Sequence, residues 1–456
     1  MNYRRMLDIL TQAAVLVLAG LWVYSPVYHG DWLLDDHIFV TDNPDVQSGS
    51  LAGLLKLWFS PSEFDYFPLS YTLMWLQWPF FGLQPTGYHV TTILLHIISS
   101  LLLWALLAKM KIPGAWAAAL VFAIHPACVE SVAWVAETKN TLSLALFLAS
   151  CMFWVGQDDA APGPKRERLY LLSIVFFLLA MFAKTSVVAM PVLTLLYAWW
   201  KRGAVTMQDA VRAAPMFLIS LVLGIVTIQY QWGRAIGAES LPVGGIDSRI
   251  ATAGMAMLFY LATIVWPVHL IPTYPRWEVD PPKAWQFLPW LLIGGAAWWL
   301  WKNRQTTWAR NCILAFGFFL LMIAPVLGFV DISYMRVTWV ADHFLYLPMI
   351  APLALIVAAA TNWLEKRNER ERTVFTAAAA AVMLFLTVNA LFYSFTFANG
   401  ENYCERTLAY NDDAWLAHNR LGFITLQRGD LDAALHHCKR RSEEHTSELQ
   451  SQFRIS

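Results

Sequence analysis

The stretch AAVLVLAGLWVYSPVY, from Ala13 to Tyr28, contains no charged residue and follows Arg4 and Arg5. A helix that spans a bilayer needs about 20 mostly apolar residues, because lipid offers the backbone no hydrogen-bond partners. The stretch has no small-residue cleavage site of the A-x-A kind, which indicates a retained anchor rather than a removable signal peptide. We therefore predict that the chain enters a membrane near its N-terminus.

The rest of the chain has the same character. Of its 456 residues, 58% are hydrophobic and 14% are charged, whereas a soluble domain has roughly 25% charged residues. The sequence predicts an all-α polytopic membrane protein with about 11 transmembrane helices. After the first, the predicted spans are Val90–Leu107, Gly114–Ala133, Thr141–Val155, Leu169–Ala183, Val187–Trp200, Pro215–Tyr230, Trp285–Trp301, Ile313–Val330, Phe344–Thr361 and Val374–Phe397.

Charge and cysteine content exclude other classes of protein. The 32 basic and 32 acidic residues balance, which argues against nucleic acid as a partner because such proteins carry a basic surplus. The five cysteines show no C-x-x-C or Cys/His spacing, so neither a disulfide framework nor a zinc site is indicated.

Basic residues at the ends of spans predict which side faces the cytoplasm. They place the N-terminus in the cytoplasm and the C-terminus outside. The apolar segment Thr252–Pro267 would invert every later loop if it crossed, so we expect it to lie in the membrane without crossing. The basic clusters fall at alternate span ends, at Arg4/Arg5, Lys109/Lys111, Lys165/Arg166/Arg168, Lys201/Arg202, Lys302/Arg304/Arg310 and Lys366/Arg367/Arg370/Arg372.

The long first outside loop, from His29 to Tyr88, is predicted to contain a short interfacial helix, because apolar residues recur there at helical spacing. Polar clusters occur in this loop and in three later outside regions, His125–Asn140, Gly233–Lys283 and Asp331–His343. The apolar residues of the predicted interfacial helix are Leu51, Leu54, Leu55, Trp58 and Phe59.

Each polar cluster allows an ordinary explanation and a functional one. The cluster Asp35-Asp36-His37 has three explanations, a solvated helix end, a pair of functional carboxylates, or a metal site. The metal site is disfavoured because adjacent residues rarely converge on one ion. Lys184 is expected to reach the membrane surface by default. The clusters come from distant parts of the chain but share one predicted face, which favours a common site at the outer interface. Glu130, Trp134 and Glu137 share a helical face, and Asp342-His343 is either a helix cap or part of a cavity wall.

The order and spacing of these motifs resemble the TMTC-like family, membrane proteins with C-terminal tetratricopeptide repeats that are placed among the GT-C-fold glycosyltransferases and are similar to protein O-mannosyltransferases. The resemblance covers residues 29 to 440. It rests on Asp35-Asp36, Asn43-Pro44, Pro68-Leu69-Ser70, Gly87-Tyr88-His89, His125-Pro126, Val129-Glu130-Ser131-Val132-Ala133-Trp134, Tyr274-Pro275-Arg276-Trp277 and the string Asp342…Tyr346-Leu347-Pro348.

The resemblance implies a GT-C-like transmembrane domain over residues 1–400. It implies transfer of a mannose-like sugar from a polyprenyl- or dolichyl-phosphate donor to a hydroxyl acceptor, with protein Ser or Thr favoured. The catalytic base falls on Asp35, with Asp36 beside it, and a single in-line displacement would invert the anomeric configuration. No cofactor other than the lipid-phosphate-linked sugar is implied, and a divalent metal is not indicated.

Cations must offset the charge that grows on the departing phosphate. Related sequences commonly have arginine where this chain has Thr138, and Asp-Arg-Tyr where it has Asp342-His343-Phe344. The candidate phosphate-binding residues are Lys139, Arg276, His343 and Lys184. The candidate supporting residues are His125, Glu130, Glu137 and Asp342.

Residues 401–440 resemble the start of a tetratricopeptide region, with a turn at Gly429-Asp430 between two helices. An ordinary helical hairpin is the alternative. One repeat cannot bury its apolar face and about three are needed, so we expect further repeats that bind the acceptor protein or another partner. The segment Arg441–Ser456 resembles a translated sequencing adapter, and we expect that it is not native to the protein.

Two other functional classes stay open at this stage. A lipid-linked-sugar transporter or flippase would show inverted repeats or paired half-helices near the bilayer midplane, and the sequence shows neither. A non-catalytic membrane-anchored scaffold for the repeats is the second alternative.

Overall fold

The computed structural model describes residues 3–60, 65–236 and 243–440, apart from the side chain of Arg234. These residues form helices and contain no β-strand. The predicted all-α polytopic membrane fold is thereby confirmed. The predicted adapter segment, Arg441–Ser456, lies outside the described residues.

The first helix, α1 (Tyr3–Val23), is separated from the next long helix by three shorter ones. The side chains of Asn43 and Ser50 cap two of these by accepting hydrogen bonds from backbone N–H groups. The predicted interfacial helix is present, and Leu51 and Phe59 at its ends are 68% and 77% exposed. The short helices are α2 (Pro44–Gln47), α3 (Leu51–Phe59) and α4 (Pro68–Phe81).

The remaining helices build the bundle, in which α8 packs against α5 and α9. They are α5 (Thr86–Lys109), α6 (Ala115–Ala123), α7 (Val129–Ala133), α8 (Thr138–Asp159), α9 (Pro164–Ala183), α10 (Met190–Arg202), α11 (Met207–Tyr230), α12 (Ile246–Val265), α13 (Leu288–Lys302), α14 (Thr307–Ile323), α15 (Asp342–Leu345), α16 (Ile350–Glu365) and α17 (Glu369–Thr396).

Within the described residues, seven helical stretches are long and apolar enough to cross a bilayer, and the pair α6 and Pro126–Ala133, bent by 58°, allows an eighth. Four further predicted spans correspond to α9, α10, α13 and α16, which are not among these stretches. Of these, α10, α13 and α16 are only 13, 15 and 16 residues long. These four crossings stay predictions. The seven stretches are Tyr3–Val23, Thr86–Lys109, Val135–Asp159, Met207–Gly233, Ile246–Val265, Thr307–Val326 and Glu369–Thr396.

The helix α12 contains most of the segment that we expected not to cross. By length and composition it could cross. Near one end, however, Arg249 forms a 2.7 Å ion pair with Asp331, and at the other end Ile264 O lies 3.1 Å from His125 Nε2. Both contacts reach regions that the charge pattern places outside. These contacts favour the non-crossing arrangement, which stays a prediction.

The chain continues beyond the bundle as α18 (Gly400–Leu408), α19 (Trp415–Gln427) and a last helix, α20 (431–440). Gly429, with φ of +80°, makes the turn between the last two, a conformation that glycine adopts without steric cost. The predicted helical hairpin is present. Its assignment as a tetratricopeptide repeat, and the boundary at residue 401, stay predictions.

Candidate functional site

A cavity of about 400 Å³ lies where α9, α11 and α14 end and α8 begins. Apolar residues of α11, α14 and the segment before α16 form much of its wall, which makes the cavity amphipathic. Polar residues from distant parts of the chain complete the lining. The predicted site residues that line the cavity are Asp35, Glu137, Lys139, Lys184 and His343.

Asp35 presents its carboxylate to this cavity. Its side chain is exposed and accepts no hydrogen bond from the described residues. The surrounding cavity walls partly desolvate this accessible carboxylate and so raise the pKa of Asp35, and the positive charge of Lys139 opposes that rise without cancelling it. Asp35 is therefore an accessible carboxylate with an increased affinity for a proton.

The backbone before Asp35 is strained. Leu34 has a φ of +33°, a conformation that non-glycine residues rarely adopt. Such strain persists only where the surrounding structure holds it, and it is common at functional sites.

Asp36 has a different environment, although it is the next residue. Its side chain is completely buried, Oδ2 accepts a 2.8 Å hydrogen bond from Leu33 N–H, and Oδ1 accepts a 2.6 Å hydrogen bond from Ala136 N–H. Burial raises the pKa of Asp36 to about 8, against the effect of the two N–H donors. Asp36 does not line the cavity, and its contacts indicate a positioning role.

Glu137 holds the two lysines of the cavity together. Its Oε1 lies 3.0 Å from Lys139 Nζ and its Oε2 lies 3.2 Å from Lys184 Nζ. Asn140 Nδ2 donates a further hydrogen bond of 2.6 Å to Glu137 Oε2. Two cations share one carboxylate, so this cluster carries a surplus positive charge that an anion could neutralise. Lys184 is thus paired inside the protein rather than extended to the membrane surface.

Aromatic rings complete the surroundings of Lys139. Its Nζ lies 4.6 Å from the centre of the Phe39 ring and 5.8 Å from that of Phe67. Such cation–π contacts stabilise a desolvated ammonium group. They keep Lys139 in a fixed position at the cavity wall.

Glu130 and Asp342 support the cavity from behind it. Glu130 Oε2 accepts a 2.8 Å hydrogen bond from the His343 N–H, and Glu130 Oε1 lies 3.0 Å from His343 Nδ1. Asp342 accepts hydrogen bonds from the hydroxyls of Tyr274 and Tyr393, at 2.8 and 3.0 Å. Burial and the charge of Glu130 raise the pKa of Asp342.

The prediction that Asp342 either caps a helix or lines a cavity is wrong. Ala341 is the cap residue of α15, and Asp342 is the first residue of that helix. Its side chain is fully buried and is absent from the cavity lining. The two tyrosine hydroxyls satisfy it there instead.

Arg276 and His125 do not line the cavity. The Arg276 guanidinium lies 4.7 Å from the centre of the Trp339 ring. His125 is buried, its Nδ1 accepts a hydrogen bond from Ala127 N–H at 3.2 Å, and its Nε2 therefore donates to Ile264 O. The predicted roles of both residues at the site stay predictions that this geometry does not support.

Among the polar residues of the cavity that sequence reasoning did not single out are Asp65 and Gln231. Asp65 lies in the same first loop as Asp35, and this shared loop was the available signal. Gln231 follows an apolar helix and gave no signal. Within the described residues, no group of three or more His, Cys, Asp or Glu side chains is placed to hold a metal ion. A metal requirement therefore stays untested.

No family model matches the chain. Among curated proteins, it is similar to the mouse (Mus musculus) protein O-mannosyl-transferase TMTC4, with 22% identity over 445 residues that cover 83% of this chain and 58% of that protein. It is also similar to human (Homo sapiens) protein O-mannosyl-transferase TMTC1, with 29% identity over 148 residues, which cover 30% of this chain and 17% of that protein. The chain therefore spans less than two thirds of the length of these relatives.

A third relative is protein O-mannosyl-transferase Tmtc1 of Drosophila melanogaster, with 29% identity over 137 residues, 28% of this chain and 16% of that protein. Among solved structures, ArnT from Cupriavidus metallidurans bound to undecaprenyl phosphate aligns with 95% of this chain and 75% of its own, at 12% identity and a TM-score of 0.41. A score this low does not relate individual residues. The curated relatives confirm the resemblance to the TMTC-like family.

Proposed function

Because the chain is similar to a protein O-mannosyl-transferase of the TMTC type, we propose that it is a glycosyltransferase of the GT-C type. It transfers a mannose-like sugar from a polyprenyl- or dolichyl-phosphate donor to a hydroxyl group. The observation that carries this proposal is the composition of the cavity lining. The unpaired carboxylate of Asp35 lines the same cavity as the cationic pair Lys139 and Lys184.

In the proposed reaction, Asp35 takes the proton of the acceptor hydroxyl. The hydroxyl oxygen attacks the anomeric carbon of the sugar, and the bond from that carbon to the phosphate oxygen breaks with its electron pair leaving on the phosphate. A base works best when its pKa lies near the operating pH. Desolvation by the cavity walls raises the pKa of Asp35 in that direction. Displacement in one step inverts the anomeric configuration.

Lys139 and Lys184 neutralise the charge that grows on the departing phosphate. Glu137 and Asn140 hold the lysines in place before the donor binds, and charges placed in advance stabilise a transition state without reorganisation. No general acid is required at the leaving group, since a phosphate leaves as a stable anion.

The acceptor in this proposal is a protein Ser or Thr, because the curated relatives are named protein O-mannosyl-transferases. The site faces the extracytoplasmic side, which is the periplasm in a bacterium and the endoplasmic reticulum lumen in a eukaryote. The helices α19 and α20 begin a tetratricopeptide region on that side, and this region helps to bind the acceptor.

The test is sugar transfer by the purified protein in lipid vesicles, with polyprenyl-phosphate-linked mannose and a Ser/Thr peptide. Asp35→Asn should lower the transfer rate by about 10²-fold or more. Its thermal stability should stay unchanged, since the side chain accepts no hydrogen bond from the described residues. Asp31→Asn, an exposed residue of the same loop that does not line the cavity, is the matched control. Equal transfer by Asp35→Asn and wild type overturns the proposal.

A further inference from the structure

The cavity contains a second carboxylate that the proposed reaction does not use. Asp65 lies three residues before the start of α4 and lines the same cavity as Asp35. Unlike Glu137, it forms no ion pair within 4 Å among the described residues. Its half-buried side chain reaches the cavity from the loop side.

Gln231 fixes the orientation of Asp65. The Gln231 Nε2 group donates a hydrogen bond to Asp65 Oδ1, and Gln231 Oε1 accepts a 3.1 Å hydrogen bond from Ser333 N–H. Both the nitrogen and the oxygen of the Gln231 amide are therefore hydrogen-bonded, and exchanging their positions by a flip of the amide would break both bonds. Asp65 Oδ2 accepts no hydrogen bond from a described residue and is available to a ligand.

Hydroxyl groups continue this polar surface. Thr227 lies one helical turn before Gln231, and its hydroxyl is 3.2 Å from that of Thr185. Both threonines and Ser186 line the cavity. The surface made by Asp65, Gln231, Thr227, Thr185 and Ser186 is here called the hydroxyl-binding surface.

This surface has the wrong charge for a phosphate and suitable chemistry for a sugar. An ionised phosphate has only acceptor oxygens and would be repelled by the Asp65 carboxylate, whereas each sugar hydroxyl both donates and accepts. A carboxylate binds such a donor by a charge-assisted hydrogen bond. The cavity thus has a cationic part around Lys139 and Lys184 and, within electrostatic reach of these lysines, a part suited to a neutral polyol.

We infer that the hydroxyl-binding surface binds the hydroxyl groups of the transferred sugar, with Asp65 as the residue that determines which sugar is accepted. This inference rests on the proposed glycosyltransferase function. Asp65 differs from Asp35 in this scheme, because it binds the donor sugar and takes no proton from the acceptor.

The experiment compares two probes on the purified protein, undecaprenyl phosphate and undecaprenyl-phosphate-linked mannose. Asp65→Asn should weaken binding of the mannose-linked probe about tenfold, the loss of one charge-assisted hydrogen bond. Its affinity for undecaprenyl phosphate should be unchanged or higher, since a negative charge is removed. Gln231→Ala leaves Asp65 in place but unoriented, and it should show the same selective loss to a smaller degree.

Asp31→Asn is the matched control and should bind both probes as wild type does. Equal weakening of both probes by Asp65→Asn and Gln231→Ala overturns the inference, because it indicates a structural role. Unchanged binding of the mannose-linked probe overturns it as well. These outcomes leave the proposed function intact as long as wild type binds both probes, whereas failure of wild type to bind either probe removes the proposed function together with the inference.

Discussion

The carboxylate of Asp36 accepts a 2.6 Å hydrogen bond from the backbone N–H of Ala136, 100 positions later in the chain. This bond joins the loop after α1 to the segment before α8. Asp35, which precedes Asp36, and Glu137, which follows Ala136, consequently line the same cavity. A buried contact between backbone and side chain therefore assembles the candidate site.

Asp36→Asn tests this positioning role. Both oxygens of a carboxyl group can accept a hydrogen bond whether or not it is protonated, whereas the amide nitrogen of an asparagine cannot. One of the two N–H groups of Leu33 and Ala136 would therefore face an amide N–H₂ group instead. A buried donor left without a partner costs about 1–3 kcal/mol. We expect a lower melting temperature together with reduced transfer, in contrast to Asp35→Asn. A variant as stable as wild type would remove the positioning role.

Asp36 also makes the stability depend on pH. Burial raises its pKa from 3.8 to about 8, so between these values the folded chain holds a proton that the unfolded chain has released. The contribution to stability is complete below about pH 4 and is lost as the pH rises through about 8. We expect the melting temperature of wild type to fall over this window and that of Asp36→Asn, which cannot titrate, to fall less. Parallel profiles would contradict this assignment.

Lys184→Met tests the cationic part of the cavity. The variant keeps Lys139 paired with Glu137 but loses one charge that stabilises the departing phosphate. We expect kcat to fall by about 10²-fold, as measured by transfer from polyprenyl-phosphate-linked mannose. Lys56→Met, which removes an exposed lysine of α3 outside the cavity, should leave kcat unchanged.

A loss of folding could imitate this result, because removing partners leaves a buried carboxylate with less compensation. The double variant Lys184→Met with Glu137→Gln removes that charge. If its stability returns to the wild-type value while kcat stays below that of Glu137→Gln alone, the lysine acts on the phosphate. A kcat that recovers together with stability would show that Lys184 serves only to neutralise Glu137.

His343→Arg tests the departure of this chain from the family pattern. His343 lines the cavity, and its backbone N–H is held by Glu130. An arginine is charged at every physiological pH and binds a phosphate with two parallel hydrogen bonds, whereas a histidine does neither. We expect the KM for the lipid-phosphate donor to fall about tenfold. An unchanged KM would show that this position does not meet the phosphate.

The convergence of Asp35, Glu137, Lys139, Lys184 and His343 on one cavity was predictable from sequence. Charged groups next to a membrane are costly unless they are solvated or paired, so isolated charges at the ends of different apolar spans tend to meet. The alternation of basic residues then predicted which ends lie together. Composition and charge position were sufficient for this part of the site.

The separate roles of Asp35 and Asp36 were not predictable. Adjacent residues in a turn point in different directions, and the difference depends on a hydrogen bond to Ala136, which no local pattern encodes. Arg276 shows the same limit, because its contact with the Trp339 ring depends on two distant loops packing together.

The pairing of Asp65 with Gln231 was not predictable, for a related reason. Their hydrogen bond joins residues 166 positions apart, and each appears in the sequence as a single polar residue beside apolar ones. Periodicity and spacing report on faces of one helix, whereas these two residues become neighbours only through the arrangement of the loop before α4 against the end of α11.

The path of α12 decides on which side of the membrane the C-terminal helices lie. Residues near its start contact Gly328 and Asp331, and just after its end Leu270 O accepts hydrogen bonds from Arg406.

We therefore expect that Ile246→Cys and His269→Cys, two exposed positions at the start of α12 and just after its end, react with a membrane-impermeant maleimide from the same side of sealed vesicles. The measurement uses a background in which the exposed Cys438 is replaced by serine. Ala161→Cys, between α8 and α9, is the control and should react only from the opposite side. Reaction of positions 246 and 269 from opposite sides would make α12 a crossing helix and place α18 to α20 on the cytoplasmic side, away from any extracytoplasmic acceptor.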